Sequence, residues 1–192
     1  MTVCAIILLA LLDEHDDLAE RLASGDASAM RELFDRHHAS LYTYIRSRGY
    51  SNDDAEDLVQ HAFVQVWQHR ASLRRGTSPK AYLYRIAVNR SLNDARRQAR
   101  LQPVEFDIVA EDQSPFSAVA DAEFARELDR AVARLPERRR QVFELCMLQH
   151  FTYREAADVL DVSTKTIENH MALALRDLRH ELRHFRTNYE ID

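Results

Sequence analysis

The sequence predicts an all-α protein of two small helical domains joined by a flexible acidic linker. Glycine and proline, which interrupt helices, number only 3 and 4 among 192 residues. Apolar residues recur at helical spacing on both sides of residues 101–118. That intervening segment holds two prolines and four acids but no base. Such a composition is typical of a flexible tether, so we place the linker there.

The first domain is predicted over residues 17–100 and begins with a short helix that carries Leu22. After a break at Gly25, Asp26 is a good N-cap because its carboxylate can accept from free N–H groups. The second helix is expected to bury both Leu33 and Phe34, and to end at Gly49, which favours the left-handed C-cap conformation.

Ser51 or Asn52 is predicted to cap a third helix whose first turn is rich in acids. Acidic side chains there are stabilised by the positive end of the helix dipole. The apolar stripe of this helix consists of Ala55, Leu58, Val59, Ala62, Phe63, Val66 and Trp67.

The fourth helix is predicted from Pro79 to about Arg100, with Ser78 as its N-cap. Nine bases and a single acid lie between Arg70 and Arg100, although the net charge of the chain is -5. Such a cluster attracts phosphate. Tyr82 and Tyr84 lie among the bases, a mixture that suits single-stranded nucleic acid. Alternatively, both tyrosines cover the core with their hydroxyls in water.

The second domain is predicted over residues 119–186 and contains two short helical patterns between Phe151 and Leu182. They are separated by a tight break at Asp161, and Ser163 or Thr164 can cap the second of them. The spacing predicts a helix-turn-helix whose second helix can enter a major groove. An ordinary αα-hairpin in a helical bundle remains the alternative.

The chain has no glycine-rich phosphate loop, nucleophile elbow or paired carboxylates, so no catalytic residue is predicted and the protein is not expected to be an enzyme. Cys4 and Cys146 form no CxxC pair and indicate a reducing compartment. His180 and His184 have the spacing of metal ligands but lack a third, so neither a metal nor another cofactor is expected.

Residues 1–16 are interpreted as an N-terminal extension and residues 187–192 as a tail. The apolar run from Val3 to Leu12 is too short to span a bilayer and lacks the features of a signal peptide. We therefore expect a cytoplasmic protein that is not itself a membrane protein. The run either docks on the core or precedes the part that the fold needs.

Three motifs resemble those of the extracytoplasmic-function (ECF) group of the sigma-70 family. DLVQHAFVQVW (57–67) is similar to the helix that grips the β′ clamp of core RNA polymerase. AYLYRIAVNRSLND (81–94) is similar to the promoter-melting helix, and residues 135–170 are similar to the domain that reads the minus-thirty-five element. The resemblance implies a sigma factor that binds core polymerase and directs promoter recognition, melting and transcription initiation.

The resemblance also implies roles for single residues. Asp57 and Gln60 would hydrogen-bond the polymerase clamp, with Leu58, Val59 and Trp67 supporting their helix. Residues that would hold minus-ten DNA are Arg74, Arg75, Tyr82, Arg85, Asn89 and Arg90, and Asn89 would line the pocket for a flipped base. Residues that would face the minus-thirty-five duplex are Ser163, Thr164, Lys165, Glu168, Asn169 and His170.

The sequence departs from the family pattern at Tyr82, where tryptophan is usual, and at Asp161, where glycine is common. Asp tolerates the left-handed conformation, so we expect the turn to be preserved. The TKTIENH segment (164–170) resembles iron-uptake, FecI-like sigma factors, which implies an anti-sigma partner of the membrane-bound, FecR-like kind.

The linker would either mimic RNA in the polymerase channel or act as a plain tether. Arg138, Arg139 and Arg140 would contact DNA phosphate or the polymerase β flap, or lie in solvent.

Two other interpretations remain open from the sequence. A stand-alone regulator resembling the LuxR group would also contain STKTIENH (163–170), but it has no use for DLVQ or an arginine-rich aromatic helix. An all-helical scaffold that binds only protein would leave the basic cluster without a role.

Overall fold

The structure, a computed structural model, describes residues 18–74, 76–99 and 122–183, with side chains for residues 18–74, 76–90 and 124–183. Every regular element in these ranges is helical, as the composition predicted. The chain divides into two compact units, an amino-terminal and a carboxy-terminal one. The boundaries predicted near residues 16, 100, 118 and 186 all fall outside the described residues and stay predictions.

The first unit contains four α-helices and one short turn of 3₁₀-helix. They are α1 (18–23), α2 (Ala27–Arg46), α3 (Asn52–Gln68), the 3₁₀ turn Arg70–Ser72, and α4 (Pro79–Ala99). α3 packs against both α2 and α4. Side chains that are 0% exposed in this core include Leu22, Leu33, Ile45, Val59, Val66 and Leu83. Full burial of each such side chain contributes about 1.5–3 kcal/mol.

Asp26 begins α2 as predicted, since its side chain accepts from the backbone N–H of Ser28 at 2.8 Å. Arg21 on α1 bridges this cap to the next turn, with Nε 3.0 Å from Asp26 Oδ2 and Nη1 2.9 Å from Glu32 Oε2. Hydrogen bonds from Ser28 and then Arg21 lower the pKa of Asp26 to about 2. The carboxylate therefore joins α1 to α2 in its ionised form.

The prediction that α2 buries both Leu33 and Phe34 is half wrong. Leu33 is fully buried, but Phe34 is 42% exposed. Phe34 lies at the edge of the α2–α3 contact, where its ring centroid is 5.0 Å from that of Phe63 and 4.5 Å from that of His38. Adjacent helical positions differ by about 100°, so only one of the two neighbours can point at the core centre.

The second unit contains α5 (Ala122–Arg134), α6 (Glu137–Phe143), α7 (Tyr153–Leu160) and α8 (Thr164–Glu181). α6 continues into one π-helical turn, Glu144–Leu148, closed by the N–H of Gln149 donating to the carbonyl of Glu144 at 3.0 Å. His150 follows with φ 54°, in the left-handed region. The turn widens the helix before the chain reverses toward α7.

α6 packs along α8, and a pair between Arg139 and Asp177 joins them. The hydrogen bond from Arg139 lowers the pKa of Asp177, so this carboxylate stays ionised. Ile167 and Ala174 of α8 are fully buried, which fixes the opposite face of α8 toward solvent. The core of this unit thus sets the orientation of its last helix.

Candidate nucleic-acid and protein-binding surfaces

The exposed face of α3 carries Asp57, Gln60 and Val64, which form one stripe because they are three and then four residues apart. Val64 is 50% exposed, and it is not among the candidate site residues predicted from the sequence. Its position four residues after Gln60, among polar neighbours, was the available signal. Leu58 and Val59 are 4% and 0% exposed, so they can position α3 but cannot contact a partner directly.

A hydrogen-bonded chain crosses from this stripe to α2. The Gln60 amide donates to Glu56 Oε1 at 3.3 Å, and the same oxygen is 3.4 Å from His38 Nε2. This hydrogen bond uses one of the two N–H donors of the Gln60 amide, so the side chain can still offer one N–H and its carbonyl oxygen to a partner. Together with the Asp57 carboxylate, α3 presents hydrogen-bond acceptors to a partner.

Trp67 is half-buried and supports the end of α3, but it does so together with Arg70. The Arg70 guanidinium lies 4.3 Å from the Trp67 ring centroid and donates to the Trp67 carbonyl at 2.7 Å. It also lies against Gly25, where an added Cβ would be 3.5 Å from Arg70 Nε. Arg70 therefore belongs to the packing of the first unit, although the sequence grouped it with the phosphate-attracting bases.

α4 begins as predicted, with Ser78 Oγ accepting from the N–H of Ala81 at 3.2 Å. Tyr82, Arg85 and Asn89 then share one face, because they are three and four residues apart. Arg85 and Asn89 are exposed, whereas Tyr82 is half-buried. An aromatic ring, a cation and an amide are thus presented side by side, as contact with an unpaired strand requires.

The remaining bases predicted for minus-ten DNA are placed differently. Arg74 is exposed in the turn before α4, and Arg75 lies outside the described residues. Arg90 is exposed at the edge of α4, where Nη1 donates to His61 Nε2 of α3 at 3.1 Å. The structure therefore brings Arg85 and Asn89 together and sets Arg90 toward α3.

Tyr84 is part of the core, and the expectation that it adds aromatic surface is wrong. Its side chain is 0% exposed, its hydroxyl donates to Ser40 Oγ at 3.2 Å, and its ring centroid is 5.6 Å from that of Tyr44. Burial raises the pKa of Tyr84 above its usual range. Of the two tyrosines, only Tyr82 is positioned for a ligand.

The second unit contains the predicted helix-turn-helix. Thr152 and Glu155 form a capping box at the start of α7, with Glu155 N–H donating to Thr152 Oγ1 at 3.2 Å. Asp161 has φ 54° and ψ 50°, so the left-handed turn is preserved without glycine. Ser163 is the N-cap of α8, where its Oγ accepts from the N–H of Thr166 at 3.1 Å.

The residues predicted to read duplex DNA lie at the start of α8. Ser163, Thr164, Lys165, Glu168 and Asn169 are exposed, and His170 is half-buried. The Nδ1 atom of His170 is buried without a hydrogen-bond partner. Lys165 Nζ and Glu168 Oε2 form an ion pair at 2.9 Å. These polar side chains therefore form one continuous surface at the start of α8, on the N-terminal side of the buried Met171.

The three arginines of α6 are mainly engaged within the second unit. Arg139 pairs with Asp177, and Arg140 pairs with Glu137 and lies 3.9 Å from the buried Glu144. Arg138 is exposed and donates to Gln141 at 3.2 Å. Of the three, Arg138 is the one that the fold leaves open to a phosphate or a protein partner.

Within the described ranges, no group of three His, Cys, Asp or Glu side chains is arranged to hold a metal ion. His184 lies outside those ranges. None of the helices in those ranges is long and apolar enough to cross a membrane. Cys146 is half-buried rather than fully in the core, and burial raises its pKa to about 11, so its thiolate is disfavoured.

Comparison with known proteins decides the family. Residues 33–101 match Sigma-70 region 2, and residues 125–178 match Sigma-70 region 4. The ECF RNA polymerase sigma factor SigM of Mycobacterium tuberculosis is 30% identical over 177 residues, covering 90% of this chain and 88% of SigM. The chain belongs to the ECF group of the sigma-70 family. Sigma factors bind core RNA polymerase and direct it to promoters; they are not enzymes.

Further relatives agree with this membership. The ECF RNA polymerase sigma-E factor of Haemophilus influenzae is 28% identical to this sigma factor over 165 residues, covering 79% of the chain and 86% of the relative. The solved structure of CnrH in complex with the cytosolic domain of CnrY has a TM-score of 0.63 and 27% identity, covering 88% and 97% of the two chains.

The matches also separate the competing interpretations. A stand-alone LuxR-like regulator shares the helix-turn-helix but has no counterpart of region 2, which here spans residues 33–101. A scaffold that binds only protein is disfavoured because region 4 covers α6, α7 and α8, the helix-turn-helix included. The sigma-factor interpretation accounts for both units.

Proposed function

We propose that this sigma factor binds the β′ clamp of core polymerase through Asp57 and Gln60, with Leu58, Val59 and Trp67 holding α3. The acceptors on the exposed face of α3 support this assignment, together with the region 2 match. Val64 adds an apolar contact to the same stripe. Arg138 is the residue of α6 that we assign to the β flap or to phosphate.

The cationic face of α4 is proposed to hold the melted minus-ten strand. Arg74, Arg75, Arg85 and Arg90 would bind its phosphates, and Tyr82 would stack on a base. Asn89 would hydrogen-bond the edge of a flipped base, which offsets a few kcal/mol of unstacking. The exposure of Arg85 and Asn89 on one face supports this role.

The start of α8 is proposed to read the minus-thirty-five duplex from the major groove. Ser163 would face the duplex at the helix start, while Thr164, Lys165, Glu168, Asn169 and His170 would meet base edges. The single observation that carries the whole proposal is that α8 presents these polar groups to solvent in a chain that also matches region 2.

The finer assignments are proposals of the same kind. We place the polymerase and minus-ten domain at residues 17–100, the linker at 101–118 and the minus-thirty-five domain at 119–186, in a cytoplasmic protein without catalytic activity of its own. CnrH was solved with the cytosolic domain of CnrY, and this supports an anti-sigma partner here. We propose a membrane-bound, FecR-like one, which the FecI-like TKTIENH segment favours.

Run-off transcription with purified core polymerase and promoter DNA tests the proposal. Asn89→Ala should reduce promoter opening, followed by permanganate footprinting, while core binding in a pull-down is unchanged. Asp57→Arg is the matched variant on α3, and it should abolish core binding. Equal loss of both activities in Asn89→Ala, or full core binding by Asp57→Arg, would contradict the assignment.

A further inference from the structure

The ion pair at the start of α8 joins the only two formally charged side chains between Ser163 and His170. Lys165 Nζ lies 2.9 Å from Glu168 Oε2, and their side chains are 76% and 46% exposed. The reading surface of the helix is therefore electrically balanced. A recognition helix that relied on phosphate attraction would carry an excess of cations instead.

The fold holds this pair at the exposed surface of the helix. Ile167 lies between its members in sequence and is 0% exposed, while Met171 is 2% exposed, so the opposite face of α8 is anchored in the core. Residues three apart in a helix share a face, which places the ammonium and the carboxylate side by side. The Ser163 cap fixes the first turn from which Lys165 projects.

A donor beside an acceptor can match the major-groove edge of one base pair, and a G·C pair also offers the donor two neighbouring acceptors. Guanine presents two neighbouring acceptors, N7 and O6, and cytosine presents its N4 amino donor next to O6. An ammonium can only donate, and a carboxylate can only accept. In an A·T pair the adenine amino group separates the two acceptors, N7 and thymine O4, so one ammonium cannot bind both.

We propose that Lys165 and Glu168 read a single G·C base pair together. The Lys165 ammonium donates to guanine N7 and O6, and the Glu168 carboxylate accepts from cytosine N4. This inference rests on the proposed entry of α8 into the minus-thirty-five groove and names the base pair that this site selects.

The pairing also explains why an acid occupies a DNA-reading surface. Glu168 repels phosphate and any base edge that lacks a donor, so it penalises wrong sequences. It also lowers the sequence-independent attraction that Lys165 alone would have. Each member of the pair is thus a specificity-determining residue, and removing either one should relax the choice of the same base pair.

The test uses holoenzyme reconstituted from the full chain and core polymerase. Promoter DNA with a randomised minus-thirty-five segment is bound, and the retained sequences are counted. The wild-type protein should enrich one G·C position. Lys165→Gln and Glu168→Gln should each reduce the preference at that same position by about tenfold, within the range for one lost base contact. Thermal melting of each variant checks that the exposed substitutions leave the fold intact.

Glu181→Gln is the matched control. Glu181 is an exposed acid on the same helix, paired with Arg134 at 3.4 Å, and its removal changes the net charge by the same amount as Glu168→Gln. It lies about 20 Å along the helix from Glu168, at 1.5 Å per residue. The control should leave the enriched sequence unchanged.

Three results would overturn the inference: no position relaxed in both variants, relaxation at two different positions, or an enriched A·T pair at the shared position. In each of these, enrichment of some minus-thirty-five sequence by the wild-type holoenzyme would leave the proposed function intact. A wild-type holoenzyme that enriches no minus-thirty-five sequence would instead contradict the proposed function of α8 itself.

Discussion

Single side chains in this sigma factor join separate helices, some of them neighbours in the chain and some far apart. Asp26 caps α2 and also binds Arg21 of α1. Tyr84 of α4 reaches Ser40 of α2, and Ser40 in turn donates to the carbonyl of His37 at 3.2 Å. The first contact stabilises an ionised carboxylate, and the second satisfies a buried hydroxyl.

The ionised form of Asp26 should contribute to stability in a pH-dependent way. Its pKa in the folded state is about 2, below the ordinary value of 3.8, so its contribution is present above pH 4 and is lost as the pH falls toward 2. Asp26→Asn keeps a capping residue but removes the charge. We expect its melting temperature to lie below that of the wild type at pH 7, with the difference shrinking between pH 4 and 2.

Asp35→Asn is the control for this measurement, because Asp35 is an exposed carboxylate on α2. Thermal melts of both variants across the same pH series separate a specific effect from general charge repulsion. Identical pH profiles for the two variants would contradict the role of Asp26.

The buried hydroxyl of Tyr84 allows a second prediction. Tyr84→Phe should lower the free energy of unfolding by about 1 kcal/mol, because Ser40 loses a hydrogen-bond partner in the core. Tyr82→Phe, on the exposed side of α4, should change it by less than about 0.5 kcal/mol. Urea denaturation followed by circular dichroism measures both. A larger loss for Tyr82→Phe would show that the two tyrosines have been assigned the wrong way round.

These residues show what the sequence can predict at this scale. Asp26 and Ser78 were predicted as N-caps because capping depends on a hydroxyl or carboxylate within three residues of its donor. For α3 the sequence left Ser51 and Asn52 as alternatives, and Ser51 is the cap. The separation of Tyr82 from Tyr84 was not predicted, because burial of Tyr84 depends on Ser40, 44 residues away. Arg70 was grouped with the phosphate-attracting bases, because the sequence does not show that its guanidinium lies on the Trp67 ring and against the distant Gly25.

At the scale of elements, the helical spacing of apolar residues predicted the helices well, since each helix buries one stripe of apolar side chains. α8 follows this rule closely, with Ile167, Met171 and Leu178 all buried. The same spacing did not predict which apolar residues at the edges of these stripes are buried. Phe34 and Val64 are exposed apolar residues at such edges, where the helical period alone does not say which neighbouring helix covers them.

The turn between α7 and α8 should tolerate glycine but not a β-branched residue. Asp161 is in the left-handed region, which β-branched side chains occupy only with strain. Asp161→Val should lower the free energy of unfolding by about 1–3 kcal/mol, whereas Asp161→Gly should fold into the same turn. Denaturation of both variants tests this. Equal stability of the two would mean that the turn rearranges without the left-handed residue.

At the scale of the whole molecule, charge is divided between surfaces of different purpose. The net charge is -5, yet the region around α4 is strongly basic and the exposed face of α3 is acidic. Acidic parts limit indiscriminate attraction to DNA, while the basic face is the surface that we propose for the phosphates of the melted strand. The overall charge alone would have suggested that the protein does not bind nucleic acid.

Salt dependence distinguishes a base that binds DNA from one that packs. Arg85→Gln should reduce the slope of log affinity against log salt for holoenzyme on promoter DNA by about one, since one phosphate contact is lost. Arg70→Gln removes the same charge from a guanidinium stacked on Trp67, so it should lower the melting temperature and leave the slope unchanged. Filter binding at several salt concentrations tests both. A larger change in this slope for Arg70→Gln than for Arg85→Gln would contradict the assignment of Arg70 to packing and Arg85 to DNA.

The π-helical turn Glu144–Leu148 adds one residue to a helix that would otherwise close regularly. Deleting a single residue there would restore ordinary α-helical winding, because a π-turn holds about one residue more than an α-turn. The chain would then be one residue shorter between α6 and Phe151, which is 4% exposed. The number of residues between Phe143 and Phe151 is therefore part of the fold of this unit. Chimaeras that exchange DNA-reading helices between relatives should keep that number unchanged.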